Sequence, residues 1–275
     1  MSQELPDDHI TKKTVVYRTG GMDNVIVERD HEYRTVDRGG LTMDLYRPSD
    51  SKGGALRPAV ISVAGYPDPG MERIFGSRYK EWGSSTSWAR LIAASGLVAV
   101  TYANREPASD LEALLAHLRE NGATLGIDVG RLGLLASSGH GPLALSALLE
   151  GGSAPPPGCA VLICPLLIDV DGFTAVAEAA KTFRFANPAS GRTVNDLSRD
   201  TALFIARAGE DHTLGPNETL DRFVAKALGR NLPLTLVNHP GAPHAFDLMH
   251  DTEASREIIR AALGFLRFHL LPEAD

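Results

Sequence analysis

Beyond about residue 56 the chain alternates two kinds of segment. Short apolar runs fall at 57–65 (RPAVISVAG), 97–103 (LVAVTYA), 131–137 (RLGLLAS), 159–167 (CAVLICPLL), 201–209 (TALFIARAG) and 232–240 (LPLTLVNHP). Runs that stay apolar at successive positions predict strands buried on both faces. Between them lie stretches with apolar residues at helical spacing: 84–96, 108–122, 141–152, 217–231 and 252–271. The first opens on a serine or threonine cap and stops at a glycine, as helices do. Strand–helix alternation of this kind predicts an α/β domain, a mostly parallel central sheet with helices on both faces. The opening segments differ. NVIVERD, YRTVD and LTMDLYRP are short and rich in β-branched residues, punctuated by Asp30-His31 and Gly39-Gly40, which predicts N-terminal antiparallel strands joined by tight turns. The stretch at about 168–200 breaks the rhythm with a helix at FTAVAEAAKTF followed by ANPASGRTVND, a small cap over a site. With no repeat, low-complexity tract or long linker, residues 1–275 are expected to form one domain.

Composition sharpens this picture. A chain of 275 residues with 43% hydrophobic content can bury one large core. Its 27 basic and 34 acidic residues, net −7, are interleaved without a basic stripe, which argues against a nucleic-acid or anionic-membrane partner. The N-terminus MSQELPDDHI is polar and acidic, and no apolar run is long enough to span a bilayer, so a soluble, cytoplasmic protein is expected. Cys159 and Cys164 lie in the run CAVLIC, where a strand would place them on opposite faces; they read as small core residues rather than a disulfide or metal site.

The candidate chemistry sits at 134–142, LLASSGHGP. A serine becomes a nucleophile when a base lies within hydrogen-bond reach and a sharp strand-to-helix turn lifts it clear of the sheet. The residues two before and two after it should be small, because strand and helix approach closely there. For Ser137 those neighbours are Leu135 and Gly139; for Ser138 they are Ala136 and His140. Pro142 favours Ser138: with Ser138 as helix cap, the proline falls inside the first turn, where N–H groups have no intrahelical partner. An acid and a base should come from loops after later strands. The loop GEDHTLGPN offers Glu210 and Asp211, and HPGAPHAFDL offers His239 and His244. One donor for a developing oxyanion is the N–H of Gly139, the residue after the nucleophile.

With these residues in place, the chain resembles the α/β-hydrolase superfamily, nearest to its dienelactone-hydrolase-like and small serine esterase branches. The resemblance runs from about Leu41 to the last helix. It rests on IDVGRLGLLASSGHGPLAL, on Gly209-Glu210-Asp211, and on Pro240-Gly241 with His244-Ala245-Phe246. It implies the α/β-hydrolase fold, a triad of Ser138, Asp211 and His244, and Tyr66 of AGYPDPG as the second oxyanion donor. Dienelactone hydrolases proper use a cysteine where this chain has Ser138, so their substrate class does not carry over. His140 at the last elbow position departs most from the pattern, and three accounts compete: a harmless rotation, a residue lining the pocket, or a turn distorted enough to lose activity. The leading expectation is hydrolysis of a carboxylic ester of a small or medium acid through an acyl-enzyme. The alternatives are acyl transfer, thioester or lactone cleavage by the same triad, and a non-catalytic binding protein on the same fold. His140, Trp82 and Phe173 are candidate pocket residues, with Phe75, Phe183 and Phe185. No cofactor or metal is expected, since His239 and His244 lack a third ligand at a sensible spacing. The expected partner is a small-molecule ester; oligomeric state is not readable.

Overall fold

The computed structural model describes residue 6 and residues 9–36, 39–51, 55–150, 155–213 and 216–272. The described strands are β1 (Ile26–Val36), β2 (Gly39–Arg47), β3 (Arg57–Ser62), β4 (Val98–Tyr102), β5 (Ile127–Ser137), β6 (Cys159–Ile163), β7 (Ala202–Ala208) and β8 (Leu234–His239). The helices are α1 (Asp68–Phe75), α2 (Gly83–Ala94), α3 (Pro107–Asn121), α4 (Gly141–Ser146), α5 (Ala175–Phe183), α6 (Pro216–Gly229), α7 (Phe246–Met249) and α8 (Glu253–Leu270). The strands form one sheet in the order β1-β2-β4-β3-β5-β6-β7-β8. β2 is antiparallel to both neighbours, whereas every pairing from β4 to β8 is parallel.

Period-two alternation divides the apolar runs between two cores. Ala59, Ile61, Leu134, Leu162 and Ile205 face one side, where they meet Leu111, Leu114 and Leu118 of α3 and Leu220 and Phe223 of α6. Val60, Leu135, Val161, Ile163 and Phe204 face the other, against Trp88, Leu91 and Ile92 of α2 and Ile259, Ala262 and Leu266 of α8. Both faces are covered, which is why these strands read as continuous apolar runs.

Several expectations are corrected. Asp30-His31 is not a turn between strands: β1 runs through it as one strand with register shifts, and Asp30 has φ +59°. The reason is a buried anchor. The Asp30 N–H donates to Asp44 Oδ1 at 3.0 Å, and Lys80 Nζ donates to Asp30 Oδ1 at 3.0 Å and Asp44 Oδ1 at 2.7 Å, so a bulge that aims Asp30 at this pair replaces the reversal. Gly39-Gly40 opens β2, with Val36 paired to Gly39. Cys159 and Cys164, both buried thiols, belong to the same core rather than opposite ones. Cys164 lies past the end of β6 with φ +36°, where strand alternation no longer applies. The helix expected at 141–152 ends at Ser146, and Gly151 and Gly152 lie outside the described residues. α1 and α7 were not anticipated.

Candidate active site

The carboxyl ends of β3, β5, β7 and β8 converge on one edge of the sheet. β5 delivers Ser137, and the next residue, Ser138, has φ +49°, a left-handed conformation that costs of order 1–3 kcal/mol in a non-glycine residue. A single 3-10 turn, Ser138–His140, then leads into α4, and the Ser138 carbonyl accepts from the Leu166 N–H at 3.0 Å. Ser138 Oγ lies 2.8 Å from His244 Nε2, and His244 Nδ1 lies 2.5 Å from Asp211 Oδ2. Asp211 is buried, and its other oxygen accepts from the Thr213 N–H at 2.9 Å and from the Thr213 hydroxyl. Burial pushes the Asp211 carboxyl up, but the hydrogen bonds from His244 and Thr213 outweigh it and hold the pKa below the usual carboxylate value. An ionised Asp211 fixes the proton of His244 on Nδ1, leaving Nε2 to accept from Ser138. Glu210 instead faces solvent, 3.3 Å from His212, and His239 ends β8 with its ring 3.2 Å from Ser255 Oγ. Leu214 and Gly215 of the same loop lie outside the described residues.

Steric demand in the turn falls on different positions from those expected. A Cβ on Gly139 would lie 2.3 Å from the Tyr66 hydroxyl, and one on Gly141 would lie 2.1 Å from the Leu166 carbonyl. The tight contacts of the turn, with the Tyr66 and Phe185 side chains and with the Leu166 carbonyl, thus fall on Gly139 and Gly141, leaving residue 140 to carry a side chain. Pro142 sits in the first turn of α4, which begins after the 3-10 turn rather than at a Ser138 cap. His140 is only 6% exposed, its ring set edge-on to Tyr66 (5.0 Å between centroids) and against Tyr79 (4.3 Å). Its Nδ1 accepts from the Gly65 N–H at 2.7 Å. A Cβ on Gly65 would come within 3.0 Å of Gly139 O and His140 Cα, tighter than most Cβ contacts, so glycine at 65 lets this approach form without displacing its neighbours.

The polar groups of the segment after β3 can be followed one by one. The Ala64 N–H donates to the Tyr102 hydroxyl (3.1 Å), and the Ala64 carbonyl accepts from Asn104 Nδ2 (3.2 Å). The Gly65 N–H goes to His140, and the Gly65 carbonyl accepts from the Ala186 N–H (2.8 Å). The Tyr66 carbonyl accepts from Asn104 Nδ2 (3.1 Å). Only the Tyr66 N–H is left without an acceptor among the described residues. The Gly139 N–H also lacks an acceptor among the described residues. Asn104 is itself held by Asp68, whose Oδ2 accepts from the Asn104 N–H at 2.9 Å and whose Oδ1 accepts from the Tyr79 N–H at 3.0 Å. Asn104, Tyr102, Asp68 and Thr213 were missed in the sequence. The one available sign was a polar residue, Asn104, directly after the apolar run of β4.

No family model and no curated protein sequence matches the chain. Solved structures do. The native form of Est2, a thermophilic esterase from the Planctomycetes species Thermogutta terrifontis, superimposes with a TM-score of 0.66 at 20% identity, covering 92% of this chain and 96% of that one. Its propionate-bound form gives 0.67 at 21% identity, over 92% and 98%. Esterase B from Lactobacillus rhamnosis, with a C4-C4 tributyrin phosphonate, gives 0.64 at 17% identity, over 90% and 87%. The chain has the α/β-hydrolase fold.

In this α/β-hydrolase fold two cavities meet at Ser138 and His244. The smaller, ≈190 Å³, is lined by Tyr66, Leu166, Ala179, Phe183, Phe185 and Thr213. The larger, ≈870 Å³, extends between α1 and the end of α5; its apolar wall includes Met71, Ile74, Phe75, Trp82 and Phe183, and its polar floor includes Tyr79, Ser84, Ser137 and His140. Trp82 and His140 therefore line a cavity as anticipated, whereas Phe173 lines neither. Its ring instead lies under the Arg222 guanidinium, 3.9 Å from centroid to Cζ, just after Gly172 (φ +79°). Among the described residues, no cluster of three or more His, Cys, Asp or Glu side chains could hold a metal, and no helix is long and apolar enough to cross a membrane.

Proposed function

We propose that this protein is a serine hydrolase that cleaves carboxylic esters of short acids through an acyl-enzyme. The observation that carries this reading is the continuous Ser138–His244–Asp211 hydrogen-bond chain, with two neighbouring backbone N–H groups, Tyr66 and Gly139, that have no acceptor among the described residues. In this reading His244 Nε2 takes the hydroxyl proton as Ser138 Oγ attacks the ester carbonyl carbon, and the resulting oxyanion is met by the two N–H groups. Collapse breaks the carbon–oxygen bond to the alcohol portion, whose oxygen receives the proton from His244. Water, deprotonated by His244, then attacks the acyl–Ser138 ester, releasing the acid and restoring the serine. Asp211 holds the imidazole in register and stabilises its protonated form.

The smaller cavity fits the acyl chain, being short and walled by Leu166, Ala179 and Phe185. The Thermogutta esterase, known in propionate- and butyrate-bound forms, supports an acid of that size. The alcohol portion then occupies the larger cavity. A fluorophosphonate probe tests the reaction: the wild type should label and Ser138→Ala should not, with p-nitrophenyl butyrate turnover falling by about 10⁴–10⁶ in that variant. Equal labelling of both proteins would sink the reading.

A further inference from the structure

The His140 ring has a second nitrogen. Because the Gly65 N–H donates to Nδ1 at 2.7 Å, Nδ1 carries no proton, and the neutral ring must hold its proton on Nε2. No acceptor for that N–H exists among the described residues, although the side chain is buried and lines the larger cavity. Burial also pushes the imidazole down to about 3, so the ring stays neutral in the ordinary working range. The N–H opens onto the cavity, so a ligand that displaces water from it without bringing an acceptor leaves a buried donor unsatisfied, at a cost of about 1–3 kcal/mol, and one that brings an acceptor avoids this. His140 does not line the smaller cavity, and its neighbours on the larger cavity's floor, Ser84, Ser137 and Tyr79, carry hydroxyls that can donate or accept.

We propose that His140 is a specificity residue whose Nε2–H reads a neutral oxygen acceptor on the alcohol portion of the ester, close to the scissile bond. Its substrates are esters of oxygenated alcohols: ether, hydroxyl or carbonyl-bearing chains rather than plain alkyl ones. This rests on the ester-hydrolase reading above and on the alcohol portion lying in the larger cavity. The ring is set for this task by three contacts. Tyr66 and Tyr79 clamp its faces and edge, and Gly65 fixes its tautomer. The donor is thus oriented before any substrate arrives, which limits the ordering cost of the contact.

The test uses two isosteric esters, hexyl butyrate and 2-propoxyethyl butyrate, which differ by one methylene replaced with an ether oxygen. The readout is the ratio of their kcat/KM values, which does not depend on the amount of active enzyme. In wild type this ratio should exceed the ratio for hydroxide-catalysed hydrolysis of the same pair by about tenfold, the worth of one well-placed hydrogen bond. His140→Asn keeps an acceptor where Nδ1 stood and removes the pocket donor, so its ratio should fall to the hydroxide value. His140→Gln keeps a donor where Nε2 stood, so its ratio should stay near wild type even though overall turnover falls. A wild-type ratio no greater than the hydroxide ratio overturns the proposal without recourse to any variant. So does a His140→Asn ratio equal to wild type. If neither ester is cleaved and Ser138→Ala behaves like wild type, the ester-hydrolase reading itself has failed.

Discussion

At the scale of single residues, the two glycines that bracket His140 set the shape of the turn. Gly141→Ala places a methyl against the Leu166 carbonyl, which belongs to backbone and cannot swing aside, so a loss of about 1–3 kcal/mol is expected in urea unfolding. His140 has a thermodynamic signature as well. Its pKa lies at about 3 when folded, because burial disfavours the charged ring, against about 6.5 in the unfolded chain. Between those values the unfolded state binds a proton that the folded state does not. Stability therefore rises with pH from about 3 to 6.5, by up to about 1.4 kcal/mol per unit. Asp68 works in the opposite sense: burial raises it to about 6, so the folded state retains a proton there that the unfolded state loses above 3.8. Subtracting the profile of His140→Asn from that of wild type isolates the histidine, and the difference should slope upward with pH in this window. A flat difference would contradict the burial argument. Ser138, Asp211 and His244 were legible because their chemistry restricts residue type and each follows a recognisable apolar run. The setting of His140 was not, since it depends on Gly65, a backbone group far away in the chain, and Phe173 was misread because an aromatic near a suspected cap says nothing about which way it faces.

Between elements, the segment after β3 owes its shape to β4. Asn104, at the carboxyl end of β4, donates to the carbonyls on both sides of Gly65. Asn104→Ala should free the segment and misplace the Tyr66 N–H, lowering kcat about 10- to 100-fold with little change in KM, since the loss falls on the charge that develops during reaction. A change confined to KM would assign Asn104 to substrate binding instead. The elements themselves were legible to different degrees. β3 to β7 and the long helices stood out because these strands are largely buried on both faces and each helix has an apolar stripe; β8, also read as a doubly buried strand, is the edge of the sheet, with Thr235, Leu236 and Asn238 exposed. α1 was hidden by its two prolines: Pro67 caps it and Pro69 lies in its first turn, where a proline is tolerated, and Gly76 ends it in the left-handed conformation. α7 has only four residues, too few to show a period. The β1 bulge was read as a turn because Asp-His is common in turns, and the buried Lys80 that Asp30 meets lies far along the chain.

For the molecule as a whole, that same lysine joins the antiparallel edge of the sheet to the floor of the larger cavity. Lys80 sits beside Tyr79 and is 4% exposed; Asp44 of β2 is fully buried and takes its charge at 2.7 Å. Lys80→Met removes the buried cation and leaves Asp44 only the exposed Arg29, 3.6 Å from its other oxygen, so a destabilisation of about 3–5 kcal/mol is expected by denaturant unfolding, largely recovered when Asp44 is also replaced by leucine. A single-variant loss under 1 kcal/mol would show that Arg29 or solvent can take over the charge of Asp44. The two-chambered site has a consequence for how such a protein can change. Ala179 of α5 borders the smaller chamber alone, and Ile74 of α1 borders the larger one alone. In the proposed reaction, a larger residue at 179 would therefore narrow the range of acids while the ranking of alcohols persists, and a change at 74 would do the reverse, whereas Phe183, which lines both chambers, would move the two together.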